Sequence, residues 1–199
     1  MTSRSVVTPV VVALLAGGLA GCFRQIPPPD IHQNPQPREH YRITMRIGDD
    51  APGPFDGVSA SAGYQVTNER CVPMTPISGA TLAPREYVDL PVTQIDRRTY
   101  VAEFYRDRLL DQDYYGQGVC QWEFVSVHFG PSFQRTSFAP DLMGSDLAAG
   151  HFDLTHYFST YWYFNPSPTP YVPSSSADRS TYRDPAKTFT VSLHVERLP

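Results

Sequence analysis

Residues 41–47, Tyr-Arg-Ile-Thr-Met-Arg-Ile, decide the fold class, because apolar and polar side chains alternate through the whole stretch. Successive side chains of an extended strand point to opposite faces, so the apolar residues share one face. Residues 188–196 alternate in the same way. The two stretches predict strands with one buried face at the two ends of the folded domain. The residues on these faces are Tyr41, Ile43, Met45, Ile47, Phe189, Val191, Leu193 and Val195.

Further stretches between these two also have the composition of strands. Four are clear, at 63–67, 87–90, 99–105 and 121–129, and a less regular pair lies at 151–158 and 160–164. Clusters of proline, glycine and asparagine separate or bound them and predict turns. Residues 139–149 alone approach helical spacing and predict one short helix. The pattern predicts an all-β fold, an antiparallel β-sandwich of immunoglobulin-like or transthyretin-like arrangement.

The composition of the 199-residue chain agrees with one packed β domain and disfavours a nucleic-acid partner. It contains 20 prolines, which argues against a helical bundle. Aromatic residues make up 13%, too many for a disordered chain. The formal net charge is −4 and the basic residues are scattered, so no nucleic-acid partner is expected.

The first 22 residues have the layout of a secretory signal. Arg4 supplies a positive charge, an apolar stretch follows, and the segment ends in Leu19-Ala20-Gly21-Cys22. The apolar stretch is shorter than the ~20 residues that a membrane-spanning helix needs. This ending resembles the lipobox of bacterial lipoproteins, in which the cysteine thiol receives a diacylglyceryl group and the chain is cleaved before it. An ordinary signal peptide with a chance cysteine is the alternative.

The lipobox resemblance implies an anchor and a location. Residues 1–21 would be the signal peptide, and acyl chains on Cys22 would hold the mature protein on a membrane. Phe23 follows the cysteine where lipoproteins retained at the inner membrane often carry aspartate, so we expect the outer membrane, facing the periplasm. Residues 22–39 are rich in proline and predict an extended tether. Residues 40–199 then form a single domain.

The two remaining cysteines, Cys71 and Cys120, form an even pair. In the oxidising periplasm that the resemblance implies, they are expected to form one disulfide. Their wide spacing is unlike the Cys-x-x-Cys of redox proteins. Two free thiols are the alternative.

Known catalytic and metal-binding motifs are missing from the sequence. Residues 111–116 begin like a calcium loop, but Tyr115 and Trp122 stand where oxygen ligands are needed. His151 and His156 would point to opposite faces of a strand because their spacing is odd. Gly-x-Ser-x-Gly, Ser-x-x-Lys and His-Glu-x-x-His are absent. We therefore expect no enzyme, no cofactor and no metal site.

Two segments contain residues typical of protein interfaces. One is the acidic, tyrosine-bearing loop that begins at residue 111, and the other is the aromatic-rich stretch 151–171. Tyr and Trp bury a large area at low entropy cost and often anchor interfaces. Core packing is the alternative for both segments, and carbohydrate stacking is a third for the aromatic stretch. The candidate partner-binding residues are Asp111, Asp113, Tyr114, Tyr115, Tyr161, Trp162 and Tyr163.

The lipobox, the tether, the disulfide and the sandwich together look like small periplasm-facing lipoproteins of Gram-negative bacteria. Residues 111–123 also look like a segment of uncharacterised proteobacterial lipoproteins. Some lipoproteins of this build are immunity proteins, which neutralise secreted toxins. The resemblance implies a membrane-anchored protein that binds and inhibits another protein. A structural or assembly subunit of an envelope or secretion complex is the alternative.

Overall fold

Residues 26–76 and 78–199 are described by a computed structural model, in which two antiparallel β-sheets share one core. Cys22 and the predicted signal peptide lie outside the described residues. The strands are β1 (His40–Ile47), β2 (Gly57–Val66), β3 (Arg85–Leu90), β4 (Thr93–Gln94), β5 (Thr99–Tyr105), β6 (Trp122–Phe133), β7 (Thr136–Ser137), β8 (Asp141–Met143), β9 (Asp153–Ser159) and β10 (Thr188–Arg197). The α-helices are α1 (Gly144–Ala148) and α2 (Tyr161–Phe164), and the 3-10 helices are Glu69–Cys71, Arg179–Thr181 and Pro185–Lys187.

The first sheet has the strand order β4-β5-β1-β10-β9, with every neighbouring pair antiparallel. The two strands predicted at the ends of the domain are therefore adjacent in space, because β1 pairs directly with β10. All eight residues of their predicted buried faces are buried, from Tyr41 to Val195. The prediction of one buried face on each strand is confirmed. The period of two in side-chain direction places every second residue on the core.

The second sheet has the order β3-β2-β6, and β7 and β8 pair with the other edge of β6 at different points. One hydrophobic core lies between the two sheets. Aromatic rings link them, for example the stacked pair of Phe104 from β5 and Phe124 from β6, whose ring centroids are 5.1 Å apart. The all-β class, the sandwich-like arrangement and the disulfide are confirmed.

The predicted strand at 160–164 is wrong. After Ser159 the chain turns into α2, where the Phe164 N–H donates to the carbonyl of Thr160 and the Asn165 N–H to that of Tyr161. A strand would place these consecutive aromatic side chains alternately on two faces, and only one of the two could contact the core. The helical turn instead buries Tyr163 in the core, and Trp162 packs against the core in part.

The predicted helix at 139–149 is confirmed only in its second half. Asp141–Met143 form β8, which pairs with β6, and the helix begins at Gly144. The Asp146 carboxylate accepts the Met143 N–H and caps the first turn. Pairing with β6 outweighs the local preference for a helix at residues 141–143. The hydrogen bonds between β8 and β6 satisfy backbone groups at the edge of β6 that a longer helix would leave without these partners.

Part of the proline-rich segment lies against the domain. The backbone of residues 32–34 bonds to that of residues 108–110 in the loop after β5. The Asp107 carboxylate accepts the N–H groups of Arg38 and Glu39 at 2.8 and 3.0 Å. The chain therefore reaches the sandwich at the end where β1 begins, and we call this end the entry pole.

Candidate functional site

The helix α2 carries four consecutive aromatic residues at the far end of β9. Residues three positions apart lie on the same side of a helix, so Tyr161 and Phe164 are neighbours on one face. This face is open: Tyr161 is 57% exposed and Phe164 is 69% exposed, whereas Tyr163 is only 7% exposed. One turn of helix thus contains a core anchor and an exposed aromatic pair.

Tyr163 holds the helix on the sandwich. Its ring stacks on Phe133 with centroids 4.4 Å apart and meets Phe55 edge-on at 5.4 Å. Its hydroxyl donates to the carbonyl of Pro54 at 2.7 Å. Burial, with the nearby charge of Asp56, raises the pKa of the Tyr163 phenol, so the hydroxyl remains a donor. The exposed neighbours of Tyr163 are therefore presented from a fixed position.

The exposed residues around α2 form a patch that extends to the following loop. Trp162 is half-buried, with its ring 5.1 Å from that of Tyr161 and 4.7 Å from that of Tyr171. Tyr171 is tied to the sheet through backbone bonds with Arg135 and Ser137. The exposed residues of this aromatic patch are Tyr161, Phe164, Tyr171 and Val172, and the half-buried Trp162 completes it between Tyr161 and Tyr171.

The aromatic patch lies at the pole opposite the entry pole. Thr188, which pairs with Ser159 just before α2, belongs to the end of β10 that pairs with the end of β1. The eight residues of β1 separate the two poles by roughly 27 Å at about 3.4 Å per residue. If the chain is anchored through its N-terminal segment, the aromatic patch therefore lies on the side of the domain that faces away from the anchor.

The acidic loop near residue 111 uses its charges internally. The Asp111 carboxylate accepts the N–H of Trp122 at 2.8 Å. Asp113 accepts the N–H groups of Tyr115 and Gln117 at 3.3 and 3.1 Å. Burial opposes ionisation of Asp113, but these backbone donors outweigh it and lower its pKa. Both carboxylates therefore organise the loop.

The two tyrosines of this loop pack beside the disulfide. Tyr114 donates its hydroxyl to the carbonyl of Leu110 at 2.6 Å, and its ring meets Trp122 edge-on. Tyr114 and Tyr115 both contact the small cluster that contains Cys71 and Cys120. Replacing either tyrosine would disturb this packing, so such variants are poor tests of binding alone.

Cys71 and Cys120 form the predicted disulfide, with Cα atoms 5.2 Å apart. It joins the end of the 3-10 helix after β2 to the residues just before β6, at the entry pole. The predicted binding residues therefore fall into two separate groups. Asp111, Asp113, Tyr114 and Tyr115 lie near the disulfide, and Tyr161, Trp162 and Tyr163 lie on α2.

Sequence reasoning did not select Phe164, Tyr171 or Val172 as partner-binding residues, although they complete the patch. Phe164 and Tyr171 belong to the aromatic stretch, but a strand pattern could not show which of its side chains face outward. The helical spacing between Tyr161 and Phe164 is the signal that identifies the exposed pair.

Three further exposed apolar side chains lie on or beside the edge strands β3 and β4, one strand in each sheet, and we call them the edge surface. It is formed by Leu82 before β3, Tyr87 within β3 and Ile95 after β4. Each of these side chains is more than half exposed. This edge surface is distinct from the aromatic patch and belongs to other strands.

Comparison with known proteins provides no relative: no family model, curated protein or solved structure matches the chain. Within residues 26–76 and 78–199, no group of three or more His, Cys, Asp and Glu side chains is placed to hold a metal ion. None of the helices described for these residues has the length and hydropathy needed to cross a membrane.

Proposed function

We propose that this protein is a lipid-anchored lipoprotein of the outer membrane that faces the periplasm and inhibits another protein, as an immunity protein against a secreted toxin. The observation that carries the proposal is the exposed pair Tyr161 and Phe164, held on a helix that Tyr163 anchors in the core. Covering the functional surface of the partner would be the mechanism of inhibition.

The chemistry of the aromatic patch supports a protein partner. Aromatic side chains are enriched at the centres of protein interfaces and bury much area while few rotatable bonds become ordered. The anchored helix lowers the ordering cost further, because Tyr163 already fixes its backbone before a partner binds. Clusters of exposed apolar residues on soluble domains commonly mark such sites.

The position of the patch supports the same proposal. With lipid on Cys22, the membrane would lie on the side of the entry pole, where residues 31–39 meet the domain. The patch would then face away from the membrane, at a distance of at least the length of β1. A surface in that position meets soluble proteins of the periplasm rather than lipid.

Substitution of the exposed pair tests the binding surface. Phe164→Ala and Tyr161→Ala are each expected to weaken binding of the partner about tenfold or more, because truncating an interface anchor costs over about 1.4 kcal/mol. The full chain with a C-terminal affinity tag would be used to capture its partner from envelope and secreted fractions. Affinity would then be measured with the purified pair by calorimetry, and inhibition by the partner's own activity.

The matched control for this experiment is Tyr87→Ala. Tyr87 is about as exposed as Tyr161, but it belongs to the edge surface. Its replacement is therefore expected to leave the affinity for an inhibited toxin unchanged. Equal affinity of wild type and both patch variants would disprove the location of the interface. A partner whose activity is unaffected at saturation would disprove inhibition.

The lipid anchor is tested separately by metabolic labelling with an alkyne analogue of palmitate. The wild-type chain is expected to incorporate the label and to sediment with outer membranes. Cys22→Ser is expected to lose both properties, because the thiol that accepts the diacylglyceryl group is missing. An unlabelled wild-type chain, or a labelled Cys22→Ser chain, would exclude lipidation at this residue.

A structural or assembly subunit is the second candidate function, and the edge surface formed by Leu82, Tyr87 and Ile95 favours it. A protein with two separate apolar surfaces can contact two partners at once. Capture of several envelope proteins, some lost with Tyr87→Ala and others with Phe164→Ala, would favour this function over inhibition of a single toxin.

A further inference from the structure

Three residues on the outer face of the second sheet are connected by hydrogen bonds. Ser126 and His128 are two residues apart on β6 and therefore point to the same face. β8 pairs with β6 so that Asp141 stands directly opposite His128. Asp141 Oδ1 contacts His128 Nδ1, and His128 Nε2 lies 3.4 Å from Ser126 Oγ.

The Asp141 contact selects the proton arrangement of the imidazole. An ionised carboxylate can only accept a hydrogen bond, so Nδ1 of His128 carries a proton. In the neutral ring, Nε2 is then an acceptor directed at the hydroxyl of Ser126. This is the arrangement that a general base needs to activate a serine nucleophile. The hydrogen bond with Asp141 also raises the pKa of His128 above its ordinary value, although burial opposes the shift.

The backbone around Ser126 is irregular. Gly63 pairs with Ser126, whereas the next residue of β2, Tyr64, pairs with Phe124, so Val125 is an extra residue on β6. Such a β-bulge re-aims side chains and is common beside active sites. Ser126 is only 5% exposed, so its hydroxyl lies low in the face of the sheet.

Gly63 pairs with Ser126 and has no side chain, so the ring of Tyr87 lies close over it beside the Ser126 hydroxyl. A Cβ atom at this position would lie 3.5 Å from Ser126 Oγ and 3.0 Å from the ring of Tyr87. The mostly exposed Tyr87 ring therefore fills the position beside Gly63 and borders Ser126 on one side. On the other side, Met143 stands opposite Ser126 in register and is exposed. Both bordering side chains are largely apolar.

We propose that Ser126, His128 and Asp141 form a nucleophilic acyl-transfer site for esters with an apolar acyl group. Ser126 is the nucleophile, His128 the general base and acid, and Asp141 a positioning residue that acts through His128. The site lies on the outer face of the second sheet and does not depend on the aromatic patch of α2. It is thus a second activity, separate from the proposed binding function, and it departs from the expectation of no enzyme that the missing sequence motifs gave.

The reaction balances with water as the only co-reactant. Ser126 Oγ attacks the ester carbonyl carbon while its proton passes to His128 Nε2. The carbon–alkoxy bond then breaks, and the His128 proton goes to the leaving alkoxide, which releases an alcohol and leaves an acylated Ser126. Water attacks this acyl group, His128 takes a proton from the water, and the bond to Oγ breaks. Ser126 recovers its proton and the carboxylic acid is released.

The test uses the full chain in detergent with two probes, a fluorophosphonate and p-nitrophenyl acetate. The fluorophosphonate is expected to label the wild-type chain, and peptide mass spectrometry should place the adduct on Ser126. Ser126→Ala should abolish labelling, and His128→Gln should reduce the rate of ester hydrolysis about a hundredfold. Ser59→Ala is the matched control, because Ser59 is an exposed serine on the neighbouring strand β2.

The pH profile distinguishes catalysis from a structural role of Asp141. Only the neutral imidazole accepts the serine proton, so the labelling rate should rise with pH through the pKa of His128. Asp141→Asn removes the carboxylate that raises this pKa, and the midpoint of the profile should move down toward 6.5. Absence of an adduct on wild-type Ser126, or equal labelling of wild type and His128→Gln, would overturn the proposal. Thermal melts of each variant verify that it is folded.

Discussion

Replacement of both Cys71 and Cys120 by alanine is expected to lower the free energy of unfolding by about 4 kcal/mol. The bridge closes a loop with a sequence separation of 49 residues. Without it, the unfolded chain gains the conformational freedom of that loop, whereas the folded chain keeps most of its contacts. Because domains of this size are stable by only about 5–15 kcal/mol, this is a large part of the total.

Urea unfolding monitored by tryptophan fluorescence measures the effect of the disulfide. Trp122 packs beside the cysteines and Trp162 lies in the aromatic patch, so the combined emission reports unfolding at both poles. The oxidised wild type is compared with the double variant and with wild type kept in a reducing agent. The two chains without the bridge should have similar midpoints. A double variant as stable as the oxidised wild type would contradict the entropic account.

The second large effect is expected for Phe189→Ala, which should destabilise the protein by about 3–5 kcal/mol. Phe189 is completely buried on β10. Its ring lies 5.2 Å from that of Phe138 and 5.9 Å from that of Phe158. Truncation removes these contacts and leaves a cavity, because the rings of Phe158 on β9 and Phe138 after β7 cannot both move inward to fill it.

Phe164→Ala is the matched control for Phe189→Ala, since it makes the same chemical change at an exposed position. It should change the free energy of unfolding by less than about 0.5 kcal/mol. Thermal and urea melts of the two variants measure the difference. A strong loss of stability in Phe164→Ala would show that this ring supports the core, and the aromatic patch would then lose its most exposed member.

Phe189 and Phe164 show where the alternation of apolar and polar residues predicts burial and where it does not. Phe189 alternates with Val191 and its neighbours, and the prediction that it is buried is confirmed. Phe164 follows three other aromatic residues, and no alternation distinguishes an inner from an outer side chain there. The prediction of a strand failed at that point because Tyr163 has partners, Phe133 and Pro54, that are distant in the sequence.

The loop that begins at Asp111 shows a similar limit. Its acidic and tyrosine residues are typical both of an interface and of a tightly organised turn. Only the surrounding donors decide between these alternatives. The N–H groups of Trp122 and Gln117 point to the two carboxylates, and the disulfide cluster covers the tyrosine rings in part. Composition alone contains no information about those partners.

The sequence by itself determined the longer strands and which face of the end strands is buried, but not the short strands β4, β7 and β8. These properties are local, because side-chain direction in a strand repeats every two residues and depends on no partner. The even pair of cysteines likewise indicated their bridge. The lipobox resemblance at Cys22 belongs to the same class of local information, and it stays a prediction.

The tertiary structure alone decided which side chains meet. Ser126 and His128 are close in sequence, but Asp141 reaches His128 only because β8 pairs with β6 in one register. The exposed face of α2 exists only because Tyr163 finds a place in the core. Strand register and packing are set by the whole chain at once, since each contact depends on where distant segments lie. Sites made by such contacts have no signature in the linear sequence.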